Sequence, residues 1–163
     1  MKEIHITKGT GTGPTALSAF DSALYSAGIA NYNLIHLSSV IPPNHVPVLK
    51  QAEHNDDVAT YGDRMYLVYA SNSTIEVGVS VYAGLGWVLT EEVPKRGLFV
   101  EHVGASEAEV QKHIEDTLGS MTSYRKEKYG PVQSAIVGTM CTDKPVCVIV
   151  AALYENQGWK GNE

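Results

Sequence analysis

Only two stretches of this 163-residue chain repeat apolar residues at helical spacing, and a long series of strand-like segments separates them. The first, Leu17, Phe20, Leu24 and Ala27, follows a helix-start signal at Thr12-Gly13-Pro14 and meets a stop at Gly28. The second, Val110, Ile114, Leu118 and Met121, opens behind Ser106 and Glu109, whose S-x-x-E spacing makes a capping box. Tyr32–Ser39, Arg64–Ala70, Thr74–Tyr82 and Gly97–His102 read as strands, and Gln133–Cys141 and Val146–Tyr154 as a closing hairpin. Helices set apart from runs of strands predict an α+β domain, a mostly antiparallel sheet or sheets covered by helices, and not a doubly wound parallel fold. The length predicts one domain over residues 1–163.

Composition narrows the function. A net charge of −6 leaves no basic stripe to release counterions, and the densest basic run, Arg125, Lys126 and Lys128, is broken by Glu127. A nucleic-acid partner is therefore not expected. The longest apolar run near the C-terminus, Val146–Tyr154, is too short to span a bilayer, and the polar, glycine-rich start has no signal-peptide core. These features predict a soluble, cytoplasmic protein with no membrane partner. In that compartment Cys141 and Cys147 are expected to be buried free thiols, although their spacing would also allow a disulfide across a hairpin. The six histidines are scattered, and none completes a zinc-type spacing with the cysteines, so no metal site is expected.

Several local motifs are weak on their own. Gly9-Thr10-Gly11-Thr12-Gly13 before a helix suggests a phosphate loop, but no Lys-Ser/Thr pair follows, and a flexible loop is the better reading. No G-x-S-x-G elbow occurs. Asp56-Asp57 reads as a surface loop, and Asp21, beside the first apolar stripe, as a solvated helix position. Glu101 reads as a strand-end glutamate, Asn33 as a strand-edge asparagine, and His36 has no assignable role. Ser38-Ser39 closes a strand just before Pro42-Pro43, where the chain must leave the sheet and a strained backbone is allowed.

The surroundings of that serine pair carry more. Ala19-Phe20-Asp21, Asn31-Tyr32-Asn33-Leu34-Ile35 and Ser38-Ser39-Val40-Ile41-Pro42-Pro43 occur in order, followed by Gly97-Leu98-Phe99-Val100-Glu101 and Ala151-Ala152-Leu153-Tyr154. The series resembles the pyruvoyl-dependent arginine decarboxylases over nearly the whole chain. Two positions depart from it: Ala30 where glycine can stand, and Tyr32 where a smaller aliphatic can.

The resemblance implies a four-layer αββα sandwich and a homotrimer with active sites between adjacent subunits. It implies self-cleavage between Ser38 and Ser39, with Ser39 Oγ attacking the Ser38 carbonyl, into a β chain of 1–38 and an α chain of 39–163. A pyruvoyl group generated from Ser39 would then be the cofactor, serving as the electron sink for decarboxylation of L-arginine to agmatine and CO₂. Glu101 is implied as the proton donor, a role that wants a carboxyl sheltered from water. Asn33 is implied to stabilise the cleavage oxyanion or orient the substrate carboxylate, and Asp21 to bind the guanidinium. Either polyamine synthesis or acid tolerance would use such an activity. A pyruvoyl decarboxylase for another amino acid is the competing enzyme reading, and a binding or assembly protein that never cleaves is the competing class.

Overall fold

The computed structural model describes residues 1–159. Residues 160–163 of the expected domain, and of the expected 39–163 fragment, lie outside the described residues. The elements are β1 (Lys2–Thr12), α1 (Ala16–Ser26), β2 (Asn33–His36), β3 (Val40–Ile41), β4 (His45–Leu49), β5 (Arg64–Thr74), β6 (Ser80–Leu89), β7 (Gly97–Gly104), α2 (Glu107–Ser123), β8 (Gln133–Met140) and β9 (Val146–Gln157). They form a five-stranded sheet, β2-β5-β9-β1-β4, and a four-stranded sheet, β3-β7-β6-β8. Pairing is antiparallel except for β1 with β4 and β2 with β5.

Three apolar interfaces account for four layers. Between the sheets, Ile6, Val68, Leu85, Trp87, Phe99, Val148 and Val150 pack into one core. On the outer face of the first sheet, Ala19, Ala23 and Ala27 of α1 and its end meet Leu67, Ile149 and Ala151. On the outer face of the second, Val110, Ile114 and Leu118 of α2 meet Val88, Leu98 and Val100. The two-residue period of β9 sends Val148 and Val150 inward and Ile149 and Ala151 toward α1, so its unbroken apolar run reflects burial on both faces. This is the αββα sandwich that the resemblance implied.

Several local expectations change. Gly9–Thr12 is not a flexible loop but the end of β1, with Gly9 opposite Ile149 and Gly11 opposite Cys147. The glycines are there for space, because a Cβ on Gly11 would sit 2.2 Å from the Ala23 nitrogen and one on Gly9 2.1 Å from the Ala23 oxygen. The helix starts later than Thr12-Gly13. Thr15 is its N-cap, with its side chain accepting from the Ser18 N–H, and Leu17 therefore rotates outward and stays exposed. Gly28, at a φ of 80°, ends the segment as expected. Ser106 caps α2 as expected, while Glu109 reaches back to the Ala105 N–H.

The strand Tyr32–Ser39 shortens to β2, and Thr74–Tyr82 divides into the end of β5, a turn, and the start of β6. β8 and β9 are not a hairpin. They belong to different sheets, because both must bury an apolar face in the core between them. Cys141 and Cys147 are buried free thiols, and burial pushes Cys147 up to about 11. Asp56 and Asp57 are exposed in a loop without regular structure. No helix among the described residues is long and apolar enough to cross a membrane.

Candidate active site

β2 is the edge of the first sheet and β3 the edge of the second, so Leu37-Ser38-Ser39 must carry the chain from one layer to the other. Hydrogen bonds hold this bridge at both ends. The Leu37 N–H donates to the Leu67 carbonyl of β5 at 2.8 Å, and the Phe99 N–H of β7 donates to the Ser39 carbonyl at 2.8 Å. Just beyond, the Tyr154 hydroxyl donates to the Val40 carbonyl at 2.9 Å. Burial, and then the nearby Glu101 charge, raise the Tyr154 phenol above its usual range, so it remains a neutral donor.

Pinned in this way, Ser39 adopts a φ of 66°, in the left-handed region that a residue with a Cβ enters at a cost of about 1–3 kcal/mol. The strain expected at the strand end is located at the second serine of the pair. Its hydroxyl donates to Oε1 of Glu101. Along β7, Phe99 points into the core between the sheets and Leu98 and Val100 toward α2, so Glu101 continues the inward row at its open end. Its side chain keeps about a quarter of its accessibility, 24%, which is sheltered but reachable.

His36, left without a role by the sequence, ends β2 with its Nε2 3.4 Å from the same Glu101 oxygen. Its ring stacks on Tyr69 of β5, with centroids 4.7 Å apart. Both line an open cleft of about 380 Å³ with Ser71, Glu101 and His102. The His102 imidazole is held below its ordinary value by burial first and by His113 second, against the opposing pull of Glu101, and its Nε2 is 2.7 Å from Thr117 Oγ1. A larger cleft, about 540 Å³, is lined by Ser22, Thr142 and Asp143, but no hydroxyl there is hydrogen-bonded to a carboxylate among the described residues.

The other expected residues stand apart from this cluster. Asn33 opens β2, and its Nδ2 donates to the Gly62 carbonyl at 2.7 Å, with one amide N–H uncommitted among the described residues. Asp21 lies exposed on α1, outside the first sheet, and makes no ion pair or side-chain hydrogen bond among the described residues. The structure thus brings together Ser38, Ser39, Glu101 and His36, and brings neither Asn33 nor Asp21 into hydrogen bonding with them. Sequence reading missed His36 and Tyr154. No sequence signal marks the first, whose partner lies on another sheet, while a polar tip ending the apolar C-terminal run marks the second.

A hydroxyl resting on a carboxylate at a left-handed bend, beside an open cleft, gives this αββα sandwich the nucleophile and acid that an enzyme site requires. A family model for pyruvoyl-dependent arginine decarboxylases matches residues 3–158. The pyruvoyl-dependent arginine decarboxylase of Thermococcus sibiricus is 31% identical over 153 residues, covering 93% of this chain and 94% of its own. That of Pyrococcus abyssi is 31% identical over 142 residues, covering 86% and 87%. That of Thermoplasma volcanium is 31% identical over 138 residues, covering 77% and 75%. The chain belongs to the pyruvoyl-dependent arginine decarboxylase family.

Proposed function

We propose that this chain is the precursor of an arginine decarboxylase that cleaves itself between Ser38 and Ser39 and then converts L-arginine to agmatine and CO₂. The observation that carries the reading is the Ser39 hydroxyl on the Glu101 carboxylate at a strained bridge between sheets. The residues fit the generation of a pyruvoyl group in place: a serine at the bond to be cut, a carboxylate to take its proton, and a carbonyl anchored on the far side.

Ser39 Oγ, giving its proton to Glu101, attacks the Ser38 carbonyl carbon. The Ser38–Ser39 C–N bond breaks as the nitrogen takes up a proton, leaving an ester. Loss of the Ser39 Cα proton and of the Cβ–Oγ bond releases residues 1–38 with a carboxylate terminus. Water then replaces the nitrogen at residue 39, and ammonia leaves. Asn33, whose side-chain amide has a second N–H to give, is suited to an oxyanion or a substrate carboxylate.

A pyruvoyl carbonyl, once present, supplies the electron sink that decarboxylation needs. Glu101 delivers a proton to the substrate carbon that has lost CO₂, and the Asp21 carboxylate binds the guanidinium through paired N–H donors. Assembly as a homotrimer would complete the site. Val40, next to Ser39, is 58% exposed and Leu17, one turn before Asp21, 77% exposed, which is apolar surface for a neighbour to cover. Action in the cytoplasm is part of the same proposal.

The test is intact mass after expression, run beside an assay for CO₂ and agmatine from L-arginine. Two fragments ending and starting at the serine pair, with a keto terminus on the larger, are expected together with turnover. One uncut chain that leaves arginine unchanged would refute the reading and favour a binding protein of the same fold. Turnover of a different amino acid would refute the substrate alone.

A further inference from the structure

Self-cleavage consumes the Ser39 hydroxyl, and with it the hydrogen bond that holds Glu101 in this structure. A carboxyl that must give its proton to one carbon needs a fixed orientation, because misplacement by an ångström is costly. Among the described residues, Glu101 has one other side-chain partner, His36 Nε2 at 3.4 Å from the same Oε1. Of the other polar rings nearby, Tyr154 gives its hydroxyl to Val40, His102 Nε2 pairs with Thr117 of α2, and Tyr69 meets His36 through its ring face.

We propose that His36 is the positioning residue of the processed enzyme, its Nε2–H taking over the Glu101 oxygen that Ser39 gives up. The inference rests on the proposed self-cleavage. A carboxylate oxygen only accepts, so the contact requires the proton on Nε2. The present 3.4 Å is long for such a bond, as suits an oxygen already occupied by Ser39, and closing it takes a few tenths of an ångström. The imidazole is prepared for this by its stack on Tyr69, which holds the ring plane while leaving Nε2 facing Glu101. In the precursor the serine orients Glu101 itself, so His36 matters little to cleavage and much to turnover.

The experiment compares wild type, His36→Phe and His36→Gln, each checked by intact mass for processing. Phenylalanine keeps the ring stack and loses the donor, while glutamine places an amide N–H near the position of Nε2. His36→Phe is expected to process fully and to lose about ten- to a hundredfold in kcat with KM within about twofold, the scale of one hydrogen bond to a charged group. His36→Gln is expected to recover most of that loss. A second readout needs no turnover: in uncleavable Ser39→Ala, the ¹⁵N resonance of His36 Nε2 is expected to move when Glu101→Gln is added. A His36→Phe enzyme within twofold of wild type, equal losses in Phe and Gln, or an unmoved resonance would each overturn the inference. A wild type that neither cleaves nor decarboxylates would instead take down the functional reading on which it rests.

Discussion

Of the four short links by which the chain passes between its two sheets, two differ in an instructive way: Leu37–Ser39, from β2 to β3, and Cys141–Pro145, from β8 to β9. Both are tied by backbone hydrogen bonds, the first to strands and the second to the turn between β5 and β6. At the second, the Cys141 N–H donates to the Val79 carbonyl at 2.9 Å, its carbonyl accepts from Gly78 at 2.7 Å, and its thiol reaches the Lys144 carbonyl at 3.2 Å. Yet no residue from Cys141 to Pro145 has a positive φ, and among the described residues the Thr142 hydroxyl has no carboxylate partner. At the first, the bend falls on a serine whose hydroxyl meets Glu101. A tight crossing between sheets therefore does not by itself set up a site. What differs is a strained residue, a nucleophile and an acid coinciding at one position.

The comparison is broken most completely by removing the nucleophile. Ser39→Ala is expected to abolish processing, since alanine has no oxygen to attack or eliminate, whereas Ser39→Cys still cleaves. Thr142→Ala at the other crossing should process as wild type does. Mass spectrometry of the three reads the outcome, and cutting of Ser39→Ala at the same bond would mean another nucleophile acts.

Next is the acid. Glu101→Gln also removes the base proposed for cleavage, so it is expected to process slowly, and the purified cleaved fraction to lose about 10²- to 10⁴-fold in decarboxylation, the usual worth of a positioned general acid. Single-turnover assays on fully cleaved protein check this, and near-normal rates would remove Glu101 from proton delivery.

Asp21 sharpens the contrast from outside both crossings. Asp21→Asn should leave cleavage untouched and lower kcat/KM for arginine by about tenfold or more, with little effect on an uncharged analogue. An exposed ion pair contributes only about 0–1 kcal/mol, so a loss of that size requires another subunit to cover the site. An unchanged kcat/KM would reopen the choice of substrate.

The smallest effect concerns the clamp beside the bend. Tyr154→Phe, placed in a Ser39→Ala background to keep the chain intact, removes the hydroxyl bond to Val40 and should cost about 0.5–1.5 kcal/mol in urea unfolding. Stability equal to the Ser39→Ala parent would show that the clamp does not hold the crossing.

The class of fold and the family were legible in the sequence. Helical spacing at Val110, Ile114 and Leu118, the cap at Ser106, and the apolar run at the C-terminus are local patterns, legible because backbone periodicity is local. The ordered motifs likewise named Ser39 and Glu101, which the fold places in contact. Tertiary structure alone decided the rest. Gly9 and Gly11 looked like a loop because the helix that requires their missing side chains is packed against them from elsewhere in the chain. β8 and β9 looked like a hairpin because short loops favour one, and only the need to bury both sides of a shared core sends them to different sheets. His36 could not be read because its meaning lies in a distance to β7, and distances across layers are set by packing, on which neighbouring residues in sequence are silent.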